Sequence, residues 1–273
     1  MARTAIAEWF HGLIGVGEDT HFTALNRNRP GDGAQVVSFG LNPQCHASDN
    51  PTMIENLEIQ GDTVRSARQF INDRRLLISP ITLKVQKVNR AQLPGQLPSN
   101  VDARQPTLFA AGWTLGSIKY LSEAGVEGLT YYETLGWKGI MSPGPEPSRR
   151  SPFLTNPGDV FPVYHVLRDV GEFASGNVRP VRSTDTMSVV GLALEKQGRT
   201  RLLAANLTHR PRMVRIRGLK GGNANVFRLD SDNLESATRK PEAFSRRVGQ
   251  QTAVTQKDFE IRLPAHGIAR IDQ

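Results

Sequence analysis

Residues 36–71 read VVSFGLNPQCHASDNPTMIENLEIQGDTVRSARQFI, and this stretch decides the fold. Val36–Leu41 is a short apolar run without polar alternation, as expected of a strand in a parallel sheet covered on both faces. Pro51 follows Asn50, which suits a helix start, because proline's missing N–H costs nothing at the first helical position and Asn50 can cap it. Met53, Leu57, Val64, Ala67 and Ile71 then keep helical spacing and form one apolar stripe. Strand, polar turn and amphipathic helix in that order form a βα unit.

The same texture extends in both directions. Strands are expected at Leu13–Val16, Leu76–Ile81 and Gly128–Tyr132 as well. A second helix is expected from about Gln105 to Ala124, with Leu108, Ala111, Leu115, Ile118 and Leu121 on one face and Gly125 as its left-handed terminator. A third, Pro162 to Phe173, follows a Pro-rich loop from Ser142 to Pro157. Beyond Val178 the pattern changes to short runs parted by Gly, Asn, Asp or Pro: Met187–Leu194, Arg201–Asn206, Met213–Arg217, Asn225–Leu229, Phe259–Leu263 and Gly267–Ile271. Such spacing predicts an antiparallel sandwich. The expected architecture is therefore α/β plus all-β: residues 1–175 as the C-terminal half of a TIM-type barrel with about four βα units, and 176–273 as a β-sandwich, divided at Ser175-Gly176-Asn177.

Four units are half of the eight that close a barrel, which leaves an open strand edge. The expectation is a piece of a longer protein, or a half that self-associates through that edge. An open dinucleotide-binding sheet is disfavoured because Gly15-Val-Gly17-Glu-Asp-Thr20 lacks the third glycine.

Composition narrows the function. The 273 residues carry a net charge of +8, with 19 Lys+Arg against 12 Asp+Glu after residue 150. In Pro211–Gly218, however, Val214 and Ile216 alternate with Arg215 and Arg217, as in a half-buried strand with a solvated outer face, so nucleic acid is not an expected partner. No apolar run approaches a membrane span, and Glu8 and His11 interrupt any secretory leader, so a cytoplasmic protein is expected. The single cysteine, Cys45, excludes an internal disulfide framework.

In parallel barrels the loops after the strands build the pocket. The second strand leads into Asn42, Gln44, His46 and Asp49, and the fourth into Tyr132, Glu133 and Trp137. Glu133, buried beside aromatic rings, would be partly desolvated and tuned as base or nucleophile; the structural alternative pairs it with an arginine such as Arg65. Tyr132 and Trp137 offer stacking faces for a sugar, and the amides of Asn42 and Gln44 offer partners for hydroxyls. His46 suits a general acid or an oxyanion donor. Asp49 is either a site residue or a helix-terminus charge, and Arg27 a fork for a carboxylate product. Cys45 beside His46 is a poor nucleophilic pair, since adjacent residues on extended backbone point apart. His21, His46 and Asp49 have no specific metal spacing, and no metal or cofactor is expected. Serine-hydrolase elbow, zincin and P-loop motifs are lacking.

The segments FTALNRNRP, FGLNPQCHASDNPTMIE, TVRSAR, LISPITLK, LFAAGWTLGSIKYLSEAG and TYYETLGWKGIM, with FPVYHVLRDVGEF, LLAANLT and LPAHGIARID in the tail, resemble the bacterial D-apionate lactonase family. The resemblance implies a glycosidase-like TIM barrel between smaller β domains that hydrolyses D-apionolactone, a sugar-derived lactone, to D-apionate in apiose catabolism. It also implies a further β domain and the first barrel strands upstream, where glycosidase barrels carry an Asn-Glu pair after the fourth strand. A second carboxylate is then expected to lie outside this chain. The residues leave two other functions open: a retaining glycoside hydrolase of a TIM-barrel clan, needing two carboxylates about 5 Å apart, and a non-catalytic carbohydrate-binding remnant.

Overall fold

The computed structural model describes residues 10–31, 33–85, 97–143, 153–255 and 258–273. The N-terminal unit is a parallel sheet in the order β1 (Gly15–Glu18), β2 (Val36–Leu41), β3 (Arg75–Ile81), β4 (Gly128–Tyr131). Helix α1 (Phe22–Arg27) joins the first two strands, α2 (Asn50–Ile71) the next two, and α3 (Leu108–Glu123) precedes β4. After β4 come a small parallel ladder, β5 (Glu133–Leu135) with β6 (Gly139–Met141), and helix α4 (Val163–Gly171). Four consecutive parallel strands with helical crossovers form half of a TIM-type barrel.

One face of this sheet is the core. In register, Val37 stands beside Leu76, and Phe39 beside Ile78, which stands beside Leu129. Val37, Phe39, Leu76 and Ile78 are buried together with Met53, Leu57, Val64, Ala67 and Ile71 of α2. The opposite face is open. Gly15, Gly17, Ser38, Leu77 and Ser79 line a groove of about 630 Å³, so among the described residues helices cover one side only, against the expected two-sided coverage. Among the described residues, β1 and β4 each pair with a single neighbour, leaving two free edges.

The C-terminal unit is an antiparallel sandwich. Its larger sheet runs β12 (Gln250–Val254), β11 (Gly222–Leu229), β14 (Ile268–Asp272), β9 (Arg199–Asn206), β8 (Val189–Lys196), β7 (Asn177–Arg179). A two-stranded sheet, β10 (Arg212–Arg217) with β13 (Asp258–Leu263), packs its Ile216, Phe259 and Ile261 over Leu202, Ala204 and Val226. Arg215 and Arg217 lie outside and pair with Glu260 and Asp258, the solvated face that the alternation predicted. Two short helices, α5 (Leu234–Arg239) and α6 (Pro241–Arg246), follow β11.

Helix α3 joins the two units. Thirteen of its sixteen residues are buried. On one side the Trp113 indole donates to the Met53 carbonyl (2.9 Å), and Gly116 lets Leu57 approach closely. On the other, Gly112 faces Ala205 and Leu207 of the sandwich. An ionic clasp adds to the junction: buried Arg201 on β9 forms a fork with Asp272 of β14 (2.7 and 2.9 Å) and donates to Glu172 after α4 (2.7 Å). The chain end is paired as well, the backbone of Gln273 exchanging two bonds with Thr200.

Several boundaries differ from expectation. β1 begins two residues later than Leu13, and Asp49, rather than Asn50, caps α2 by accepting from Thr52 N (2.9 Å). Thr107 caps α3. Tyr132 leaves β4 with a left-handed φ of 58°. Residues 144–152 of the Pro-rich loop lie outside the described residues.

A Cβ at Gly116 would sit 2.7 Å from Leu57 Cδ1, whereas one at Gly112 meets Leu207 at an ordinary 3.4 Å. Gly116→Val is expected to cost about 1–3 kcal/mol by overpacking. Gly112→Ala is expected to be neutral or slightly stabilising, because alanine favours helix over glycine. Urea unfolding of the two variants checks the contrast.

Candidate active site at the strand ends

Leu41, Ile81 and Tyr131 share one row across β2, β3 and β4, tied by Thr82 N to the Leu41 carbonyl (3.0 Å) and Tyr132 N to the Ile81 carbonyl (3.2 Å). Asn42, Thr82 and Tyr132 therefore open three adjacent loops on the face where such barrels place their pockets.

The loop after β2 is fastened from outside. Gln44 Nε2 donates to the Leu83 carbonyl (2.6 Å) and to Asp102 Oδ2 (2.5 Å). Asp102 receives Arg104 through both carboxylate oxygens (2.8 and 2.7 Å), and Arg104 Nη1 reaches the Ser48 carbonyl and Asn50 Oδ1 (2.8 Å each). Burial alone would push the Asp102 carboxyl up, but hydrogen bonds from Arg104 and Gln44 hold it below the ordinary carboxylate range. Neither Asp102 nor Arg104 was a candidate from sequence; they lie far from the loop in the chain, and no local spacing announces the pairing.

At the tip of that loop Cys45 Sγ lies 3.5 Å from Nε2 of His21, the residue before α1, and donates to the Asn42 carbonyl. The histidine beside this thiol is His21, not the adjacent His46, which is exposed. Burial pushes the Cys45 thiol up, the wrong direction for a thiolate nucleophile. Asp49 serves as the helix cap, accepting from both Thr52 N and Thr52 Oγ1.

The β4 end departs most from expectation. Because Tyr132 has positive φ, the usual alternation fails and both tyrosines reach α3: the Tyr131 hydroxyl meets Ser117 Oγ (2.8 Å) and the Tyr132 hydroxyl meets Thr114 Oγ1 (2.7 Å). Their rings lie 5.8 Å apart. Burial raises both hydroxyls above the ordinary tyrosine value. Tyr132 is thus half-buried, packed against the core. Glu133 is not buried as expected: its side chain is 47% exposed. It pairs with Lys138 (2.6 Å), while Arg65 pairs with Asp62. Trp137 is half-buried, with its indole nitrogen out of water and without a hydrogen-bond partner among the described residues. Arg27 is exposed in the last turn of α1.

The strand ends thus gather His21, Asn42, Cys45 and His46 on one side and Glu133 with Lys138 on the other. Two strand spacings, roughly 10 Å, separate the loops, and no hydrogen bond joins His46 to Glu133 among the described residues.

Asp102→Asn is expected to destabilise the chain by about 2–3 kcal/mol at neutral pH, because Arg104 loses its counter-charge. The folded-state pKa is lowered, so the stabilisation is present above the unfolded value of about 3.9 and is lost as pH falls below it. Acid unfolding monitored by circular dichroism is expected to show this loss below about pH 4 in the wild type and a flatter profile in the variant.

Comparisons with known proteins agree with this architecture. Residues 1–175 match the description "D-apionate lactonase, TIM barrel domain", and residues 187–271 match its C-terminal immunoglobulin-like domain. A D-apionate lactonase of Brucella anthropi is 25% identical over 220 residues, which cover 78% of this chain; the chain spans about a third (34%) of that relative's length. Among solved structures, an arabinose-bound α-L-arabinofuranosidase superposes with a TM-score of 0.63 at 11% identity, covering 99% of this chain and 41% of that one. The α-L-arabinofuranosidase of Thermotoga maritima gives 0.56 at 11% identity, covering 88% and 52%. These two likenesses concern the fold alone. With a matched barrel description over well more than half of its residues, the chain belongs to the D-apionate lactonase family.

Proposed function

We propose that this chain is part of a hydrolase that opens D-apionolactone to D-apionate in apiose catabolism, working in the cytoplasm. The observation that carries this reading is the family match over residues 1–175, which includes every loop at the strand ends. In this reading Glu133, beside Lys138 at 2.6 Å, accepts a proton from water. The water oxygen adds to the lactone carbonyl, and His46 and the Asn42 amide stabilise the oxyanion. Collapse breaks the ring C–O bond, the leaving alkoxide takes the proton held by Glu133, and the new carboxylic acid gives its proton to solvent and leaves as carboxylate. Gln44 holds its loop in place through Asp102, and Trp137 supplies a partly apolar wall. Asp49 and Arg27, a helix cap and an exposed helix-end charge, are left without a role.

Glu133→Gln is expected to lower kcat by about 10²–10⁴ with the fold intact. Proton release from D-apionolactone, followed in a pH-stat beside circular dichroism, checks both. Undiminished turnover in the variant overturns the assignment, and release of sugar from an aryl glycoside would instead favour a glycosidase.

A further inference from the structure

The chain changes sense at a single residue as it leaves β4. Leu129 stands beside the core residue Ile78, and the Tyr131 hydroxyl reaches Ser117 on α3, so the odd positions of this strand face the helices. Had the backbone stayed extended, Glu133 would face them too, and Tyr132 would face the open side of the sheet. Instead Tyr132 adopts a φ of 58°, a left-handed conformation that costs any residue with a side chain free energy that glycine is spared. The tyrosine turns to α3, and Glu133 turns to solvent.

What offsets that cost lies inside α3. Thr114 is fully buried, and its hydroxyl donates to the Ala110 carbonyl (2.7 Å). Its proton is thereby committed, so its oxygen accepts from the Tyr132 hydroxyl at 2.7 Å. Burial raises the Tyr132 hydroxyl above its ordinary range, which keeps it a donor. A buried neutral hydrogen bond and one left-handed residue are of similar magnitude, so loss of the bond is enough to free the backbone at Tyr132. Beyond the turn, Glu133 N donates to the Lys138 carbonyl (3.2 Å), its carboxylate pairs with Lys138 Nζ, and Gly136 closes the short loop at a φ of 110°. Glu133 is therefore aimed from two sides, by Tyr132 before it and by Lys138 after it.

We infer that Thr114 is a positioning residue that fixes the direction of Glu133 by holding the Tyr132 hydroxyl. Its effect on the reaction rests on the reading that gives Glu133 the proton transfer. Thr114→Val keeps the shape but removes the acceptor, Tyr132→Phe removes the donor and leaves Thr114 bonded to Ala110, and Thr114→Ser keeps the bond. In the 273-residue chain, the intraresidue amide-to-Hα nuclear Overhauser effect at position 132, strong at positive φ and weak in extended backbone, is expected to weaken in Thr114→Val and Tyr132→Phe and to persist in Thr114→Ser. For D-apionolactone opening, the first two variants are expected to lose about 10–10²-fold in kcat with KM changed less than about twofold, and Thr114→Ser to retain most of the rate. An Overhauser effect undiminished in Thr114→Val and Tyr132→Phe, or full kcat in both while Glu133→Gln loses turnover, overturns the inference. Full turnover in Glu133→Gln overturns the reaction instead, and the tether then stands or falls on the Overhauser effect alone, which needs no turnover.

Discussion

The structure depends on one helix that has almost no exposed surface. A sheet with an apolar face must bury it, and here two sheets use the same element: α3 covers the helix-facing side of the half barrel and also the face of the six-stranded sheet turned away from β10 and β13. That dual duty explains its composition. Small residues stand where neighbours come close, Gly112 against the sandwich and Gly116 against α2. Its polar side chains are partnered inside the core: Thr114 bonds the Ala110 carbonyl and the Tyr132 hydroxyl, and Ser117 links Gln60 to Tyr131. Lys119, only 5% exposed, pairs with Glu123, whose second oxygen accepts from Val181 N at the entry to the sandwich. Each buried polar group that finds a partner avoids a desolvation cost comparable to a lost hydrogen bond.

Much of this frame was legible because it rests on local periodicity. Val36–Leu41 is a strand with the expected limits, and the stripe from Met53 to Ile71 is buried as its spacing implies. The alternation in β10 placed its arginines outside. What escaped is what periodicity does not encode. Phe22–Arg27 is too short to show a helical period, and Gln250–Val254 is a strand built largely of polar residues at a sheet edge. The open face of the parallel sheet escaped for another reason. Apolar runs describe strands able to be covered on both sides, whereas the inward positions here are largely glycine and serine.

The candidate site was legible by location but not by environment. Reading strand ends picked out loops that the fold brings to one end of the sheet, since topology alone sends them there. The surroundings of each side chain depend on contacts distant in sequence. One residue with left-handed backbone turns Tyr132 into the core and leaves Glu133 in solvent beside Lys138. One aspartate, Asp102, more than fifty residues from Gln44 in the chain, sets the posture of the loop that carries Asn42 and His46. Neither effect has a signature in a short window.

The clasp at Arg201 has a practical consequence for handling the chain. Asp272 is the penultimate residue, and it supplies the bidentate partner of a buried guanidinium while Gln273 closes the edge of the ladder with Thr200. Residues 272 and 273 are therefore working parts of the interior. Removing these two residues would take the bidentate partner from a buried guanidinium and leave Glu172 as its remaining close carboxylate.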